Sequence, residues 1–356
     1  MLSLNVTAYS DPSGYQLSEL AKPELSDPKD VIIKVHAASI NPIDVKKADG
    51  MLKLAAKDTF PYKIGYDCAG LVTEIGSEVT RVKVGDEVYT RLPEVSRGSC
   101  SEFVRCVENH IGLKPPSMSF EEAASLPLAA MTALQALRKY PGDLAGKTVF
   151  VPAGLSGTGL FACQLAKNVF HAGKVITTVS TSKIPQVKEL LGENTVDEII
   201  DYTKSDPGKV IQAGSVDFLF DTVGSSMEFL NLMKPQSGCI ISVATMPSGT
   251  QLQDSSMMDL PHKPTIPFAF KTALNLMDCV RKLRARRYGV EYSYMFLAST
   301  GQDLDELRTY VEEGRLRTVV GTTAQFSDLK AVQDACQIVY SGKGGLGKVV
   351  LKIAQV

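Results

Sequence analysis

Nowhere in its 356 residues does the chain contain eighteen consecutive apolar residues, so nothing in it reads as a membrane-spanning helix. The first residues, Met-Leu-Ser-Leu-Asn-Val-Thr, lack the basic and apolar regions of a secretory leader, and export is not expected. A C-x-x-C pair is also missing. The seven cysteines (Cys68, Cys100, Cys106, Cys163, Cys239, Cys279, Cys336) stand singly and odd in number, which argues against a disulfide framework and suits reduced thiols in a cytoplasmic setting. Charge imbalance is absent too. With 38 Lys and Arg against 39 Asp and Glu, the net charge of −1 leaves no basic excess to attract nucleic acid or an anionic membrane. Histidine is scarce: His36, His110, His171 and His262 are far apart, so no imidazole cluster for a metal is evident. There is no internal repeat and no low-complexity tract.

What is present describes a globular protein of about two domains, with 44% hydrophobic and 22% charged residues. The first 120 or so residues are β-rich. Val31–Ala37 alternates, and Ala69–Gly76 and Asp86–Tyr89 bracket the turn signals Gly76-Ser77 and Gly85-Asp86. A proline-rich connector, Lys114-Pro-Pro-Ser-Met-Ser, leads to Phe120–Pro127, where Ser119 or Ser117 caps a short helix. From about Leu128 strands alternate with helices. Thr148–Val151, Val175–Val179, Glu198–Ile200, Val216–Asp221 and Cys239–Val243 are short, apolar and β-branched, as parallel strands are. The fold class expected is therefore α/β, a doubly wound parallel sheet beside a β-rich domain. A segment at about 245–292 interrupts the alternation with prolines, methionines and a basic helix-like stretch, Phe270–Arg287. Its Met246, Met257, Met258, Phe268 and Phe270 are candidates to wall an apolar substrate. The alternative is that the basic stretch packs one face and solvates the other. A helix at Leu304–Glu313 and a strand at Gly347–Ile353 end the chain.

The most informative run is Val149 to Lys167, in which an apolar strand breaks into a Gly/Ser loop that opens a helix. Gly154, Gly157 and Gly159 let the backbone turn tightly and approach a pyrophosphate, and Ser156 and Thr158 keep side chains short. The first turn of the helix supplies free N–H groups and the positive end of a dipole. A second apolar run, Lys174–Ser180, follows the helix as a βαβ unit requires. After it the chain reads Ser180-Thr181-Ser182-Lys183, with no acid before Glu189. An NAD site usually places a carboxylate there for the ribose 2′-OH. Ser180, Ser182 and Lys183 instead complement a 2′-phosphate, which favours NADPH; the alternative is an ordinary polar strand-to-helix loop.

Several separated motifs resemble one family. They are Asn41-Pro-Ile-Asp44, Gly65-Tyr-Asp-Cys-Ala-Gly-Leu-Val-Thr-Glu-Ile-Gly76, Val84-Gly-Asp-Glu-Val88, Leu126–Gln135, the phosphate loop with Gln164-Leu-Ala-Lys167, Asp221-Thr-Val-Gly224 and Gly347-Lys-Val-Val350. Together they resemble the zinc-independent branch of the medium-chain dehydrogenase/reductases, the quinone oxidoreductase and enoyl reductase-like proteins. Fungal-type trans-acting enoyl reductases share these marks. The resemblance implies a GroES-like catalytic domain (residues 1–125 and 300–356) around a Rossmann NADPH-binding domain (126–299). It also implies that Thr132, Tyr202, Val223, Ala244, Phe296 and Lys348 approach the cofactor. Ala153 and Ser156 stand where many relatives carry glycine.

Zinc-dependent relatives ligate their metal from positions that read Asn41, Tyr66 and Leu128–Met131 here. No thiol or imidazole stands at any of them. The expected activity is hydride transfer from NADPH to a quinone or an α,β-unsaturated carbonyl, either free or as a thioester on a carrier protein. A non-catalytic NADPH-binding protein, monomeric or dimeric, is the competing reading. Asn41, Lys46 and Tyr66 are the catalytic candidates. Lys46 either stabilises an oxyanion or is, with Lys47, a solvated surface lysine. Tyr66 either donates to the substrate oxygen or fills the vacated metal space. Asp44 is read as a structural acceptor that fixes the loop after Val31–Ala37; the alternative is a catalytic acid, which would require a raised pKa.

Overall fold

Short apolar runs broken by turn residues fold, in the N-terminal third, into antiparallel strands. The computed structural model describes residues 1–343 and 345–354; positions 344, 355 and 356, in the C-terminal part expected of the β-rich domain, lie outside the described residues. The strands are β1 (Leu2–Val6), β2 (Gln16–Glu19), β3 (Asp30–Ile40), β4 (Tyr62–Lys63), β5 (Asp67–Ile75), β6 (Glu87–Arg91), β7 (Phe103–Val107) and β8 (Ile111–Leu113), with helix α1 (Pro42–Ala48) after β3. β3 runs longer than its alternation predicts, and Lys34 is its one exposed residue. It is covered on both faces, so an apolar run replaces a strict period of two.

The connector then forms α2 (Phe120–Ala124), capped by Ser119 through the Glu122 N–H, with Glu122 returning a bond to the Ser119 N–H. Helix α3 (Pro127–Arg138) begins on a proline, whose missing N–H costs nothing there. Its alanines Ala129, Ala130, Ala133 and Ala136 are buried and allow close packing between the two sheets.

The alternating region forms β9 (Thr148–Val151), α4 (Gly159–Asn168), β10 (Lys174–Val179), α5 (Gln186–Leu191), β11 (Glu198–Asp201), α6 (Pro207–Val210), β12 (Phe218–Asp221), β13 (Cys239–Ser242), α7 (Gly249–Gln253), α8 (Phe268–Arg287) and β14 (Glu291–Tyr294). The strands are parallel in the order β11-β10-β9-β12-β13-β14. This is the doubly wound order, and it reverses direction between β9 and β12, where a crevice opens at the strands' carboxyl ends. The remaining elements are α9 (Gly301–Glu312), β15 (Val320–Gln325), α10 (Leu329–Ser341) and β16 (Lys348–Lys352). β15 and β16 complete a seven-stranded sheet, ordered β15-β16-β3-β5-β6-β8, with β7 also on β3. The fold is therefore the expected α/β one, a Rossmann sheet with a separate β-rich unit.

The 245–292 segment departs from expectation in one place. Met257 and Met258 are buried with Leu52, Ala55 and Ala56, and Met246, Phe270, Ile43 and Phe296 pack on that cluster. Phe268 lies outside it, 84% exposed at the start of α8. Nor is the outer face of α8 wholly polar, since Leu276, Val280 and Leu283 are exposed there.

Candidate functional site

At the carboxyl end of β9 the chain turns through Ala153, which has φ 55. Its N–H donates to Thr178 Oγ1 (3.0 Å), and the Ser156 N–H donates to the Ala153 carbonyl. A Cβ on Gly159 would lie 2.2 Å from the Ala153 carbonyl oxygen, so glycine is required for the loop to close onto α4. Gly154 is equally confined, since its Cβ would meet Thr177 Oγ1 at 2.1 Å. Among the described residues the N–H groups of Leu155, Gly157 and Thr158 find no backbone or side-chain acceptor. Unpaired N–H groups before a helix of ten residues are the geometry in which helix N-termini take up anions.

Beyond β10, Ser180 precedes a single turn over Thr181–Lys183. Ser182 is exposed, while the Lys183 ammonium donates to the Gly345 carbonyl. Thr181 donates to Asp201, whose carboxyl is held below its ordinary value by hydrogen bonds from Thr181 and Thr203. Tyr202, 56% exposed, follows Asp201 on this rim. At the end of β12 the Asp221 carboxylate accepts the N–H groups of Val223, Gly224, Ser225 and Ser226 and the Ser242 hydroxyl. That array turns the loop outward and leaves Val223 49% exposed. Ala244 follows, its N–H on Ser242 Oγ, and Phe296 stacks edge-on against Tyr294.

The β-rich unit closes the crevice with two buried polar clusters. β16 pairs antiparallel with β3, Val349 opposite Ile40, which puts Lys348 beside Asn41. The Lys348 ammonium donates to Asn41 Oδ1 and lies 3.9 Å from Asp67 Oδ2. Asp67 also accepts from Asn41 Nδ2 (2.8 Å), Ser39 Oγ (3.3 Å) and the Leu128 N–H (3.0 Å). Burial drives the Lys348 pKa down and the Asp67 pKa up, and each partner's charge opposes the shift. Lys348, which the resemblance has approach the cofactor, pairs here with Asn41 and Asp67. It also borders the glycine-rich loop, since its Cδ would lie 3.0 Å from a Cβ on Gly157.

In the second cluster, Lys47 pairs with Glu94 and lies 3.7 Å from Asp58; Arg97 pairs with Asp58 (3.2 Å) and Glu94 (3.0 Å). The Tyr66 hydroxyl donates to Glu94 Oε2 (2.5 Å). Burial raises the Tyr66 phenol well above its usual range and lowers the Lys47 ammonium against the pull of Glu94. Two cations and two anions balance, as buried charges must.

Of the three catalytic candidates, Asn41 and Tyr66 are buried with their polar groups engaged, and Lys46 is exposed with no side-chain partner among the described residues. The lysine pair therefore splits: Lys46 meets solvent while Lys47 is an interior ion. Thr132 donates to the Leu128 carbonyl (2.6 Å), the local bond open to a helix-interior threonine. Sequence reasoning did not single out Asp58, Asp67, Arg91, Glu94 or Arg97. Asp67 had a signal in its Gly-Tyr-Asp motif, but Asp58, Glu94 and Arg97 lie in irregular segments without periodicity.

Two family models match the chain: Alcohol dehydrogenase GroES-like domain over residues 27–134 and Zinc-binding dehydrogenase over residues 195–351. The mitochondrial NAD(P)H oxidoreductase RTN4IP1 of Mus musculus is 32% identical over 86% of this chain and 78% of its own length. The chloroplastic NADPH-dependent alkenal/one oxidoreductase of Arabidopsis thaliana is 35% identical over 72% and 67% respectively. The solved quinone oxidoreductase of Coxiella burnetii superposes with a TM-score of 0.80 at 28% identity, covering 99% of both chains.

Proposed function

Because the chain belongs to the medium-chain dehydrogenase/reductases, among relatives that are quinone and alkenal/one oxidoreductases, we propose that it is an NADPH-dependent enzyme that reduces quinones or α,β-unsaturated carbonyls without zinc. A single observation carries the reading: a loop of confined glycines lies beside Lys348, Asn41 and Asp67, whose side chains pair with one another and leave no ligand set for a metal.

The residues fit a dinucleotide. Glycine is enforced at 154 and 159, and the free N–H groups of Leu155, Gly157 and Thr158 would hold the pyrophosphate, with Ser180, Ser182 and Lys183 at the 2′-phosphate. When bound, the reduced nicotinamide supplies the hydride. The residues do not fit zinc. Tyr66 is bonded to Glu94, the Asn41 oxygen receives an ammonium, and no group of three His, Cys, Asp or Glu among the described residues is arranged to hold a metal. An acceptor that delocalises charge by itself suits such a crevice.

We also assign residues 1–125 and 300–356 to the catalytic unit and 126–299 to the cofactor unit, following the membership of the two large sheets. Among the described residues no helix is long and apolar enough to cross a membrane. The cysteines are unpaired among the described residues, which suits a reducing compartment, the cytoplasm or an organelle; the mouse relative's name calls it mitochondrial.

The test is anaerobic oxidation of NADPH, against NADH, by chelator-treated protein with a simple para-quinone or enone. NADPH-selective turnover untouched by chelation is expected. Turnover that needs added zinc refutes the metal-free reading, and tight NADPH binding without oxidation of any free or carrier-bound acceptor refutes the enzymatic one. In the same assay Lys46→Met should lower kcat/KM about tenfold or more if Lys46 meets the substrate oxygen. An unchanged value returns it to the solvated surface.

A further inference from the structure

Tyr66 is the aromatic that the motif places in the crevice, yet its hydroxyl is taken by Glu94. What covers its ring is Arg91, whose guanidinium carbon lies 4.7 Å from the ring centre. Arg91 ends β6 directly opposite Asp67 at the start of β5. Paired residues of an antiparallel ladder project from the same face, so Arg91 shares the face on which Asp67 meets Asn41, Lys348 and the first turn of α3. On the other side, Ser299 Oγ donates to the Arg91 carbonyl (2.7 Å), which ties it to the loop leaving the carboxyl end of β14. Those strand ends border the ligand crevice of a doubly wound sheet.

The side chain is 5% exposed, and its guanidinium donates to no acceptor among the described residues; Nε is buried without a partner. The Asp67 and Asp44 carboxyls feel its charge without bonding it, and both Asp67 oxygens are already occupied. The other lysines buried in this unit are compensated, Lys47 by Glu94 and Asp58, Lys114 by Glu87 and Lys348 by Asp67 and Asn41, and Arg97 pairs with Glu94 and Asp58. A guanidinium this buried whose Nε–H meets no acceptor is costly, and the cost is relieved when a ligand brings an oxygen to the same group.

We propose that Arg91 receives the carbonyl oxygen of the acceptor and holds the negative charge that gathers there, the catalytic electrophile of this metal-free crevice. The proposal rests on the hydride-transfer reading above. In an enone the β-carbon takes the hydride, the C=C electron pair moves to form the new C=C of an enolate, and the carbonyl pair moves onto oxygen, against the guanidinium. A proton from water then adds at the α-carbon, so the acceptor gains two electrons and two hydrogens overall. Arg91 acts only as a hydrogen-bond donor in this step, and the proton comes from water. A para-quinone leaves the hydroquinone monoanion on the same donors.

The test does not depend on turnover. 4-Nitrophenol is titrated into wild-type protein saturated with NADP+, and the phenolate absorbance is followed against pH. Wild type should bind the ionised form preferentially, and Arg91→Gln and Arg91→Ala should raise the apparent pKa of the bound phenol by about one unit or more. In the NADPH assay the same variants should lose about a hundredfold in kcat/KM, and Arg91→Ala should be partly rescued by millimolar guanidinium. Variants that fold, bind NADPH and ionise the phenol as wild type does overturn the proposal, as does a wild type that binds the neutral phenol or none. A wild type that turns over no acceptor but binds the phenolate through Arg91 refutes the proposed reaction while supporting the oxyanion site.

Discussion

Asp44→Asn should make the protein's stability less sensitive to pH between 5 and 8. Asp44 sits in the first turn of α1, fully buried; its Oδ2 accepts the Asn41 N–H (2.6 Å) and its Oδ1 has no partner. Burial raises its pKa to about 7, with the Asn41 hydrogen bond opposing the shift. In the unfolded chain the same carboxyl ionises in the ordinary range near 4. Between those values the folded state holds a proton that the unfolded state has released, so stability is greatest at low pH and falls as pH rises toward 7. At about 1.4 kcal/mol per pH unit, the loss from pH 5 to pH 8 is about 3 kcal/mol. Asparagine keeps the acceptor for the Asn41 N–H and has nothing to ionise. The difference in thermal midpoint between variant and wild type should therefore shift in the variant's favour by about 6 °C between pH 5 and pH 8. Scanning calorimetry of both proteins at the two pH values measures it, and other titrating groups cancel in the double difference. Parallel midpoints would refute the buried, proton-holding carboxyl. A shift toward wild type would mean that the ionised form is the one the fold requires.

Three further outcomes are expected. Gly159→Ala, whose Cβ would meet the Ala153 carbonyl, should weaken NADPH binding about tenfold or more, read by quenching of the dinucleotide fluorescence; an unchanged Kd would show that the loop does not serve as an anion site. Glu94→Gln keeps an acceptor for Tyr66 but leaves Lys47 and Arg97 against Asp58 alone, and should cost about 3 kcal/mol in urea unfolding. A variant within experimental error of wild type would mean that the charges are solvated. Lys183→Ala should reduce the NADPH-to-NADH ratio of kcat/KM about tenfold; a constant ratio assigns Lys183 only to the Gly345 carbonyl it already meets.

Features that depend on near neighbours in the chain were legible in the sequence. The strand–loop–helix at Val149–Lys167 is found as β9, a glycine-rich loop and α4, because glycines at fixed intervals bear directly on local backbone geometry. Of the two serines expected as caps, Ser119 rather than Ser117 starts α2. Short β-branched runs separated by helices implied a parallel sheet, since only a crossover can join such strands. The helix expected over Phe270–Arg287 was visible too, and it begins two residues earlier at Phe268, whose exposure was not legible because periodicity cannot say whether a neighbouring element covers a helix end.

The chemistry of side chains far apart in sequence was decided by the tertiary structure. Lys46 and Lys47 are adjacent and chemically alike, yet the rotation of about 100° between consecutive residues of α1 sends one to solvent and the other to Glu94 and Asp58. Tyr66 keeps its place in the Gly-Tyr-Asp motif, but the segment carrying Glu94 takes its hydroxyl and β6 lays Arg91 on its ring. Lys348 reaches Asn41 across 307 residues only because β16 pairs with β3 in one register. The sequence by itself determined backbone grammar, including where strands, caps and the glycine-rich loop fall, since those follow from torsional preferences and short-range hydrogen bonds. Which charges are compensated, and which one waits for a ligand, depended on strand register and burial that only the assembled sheets supply.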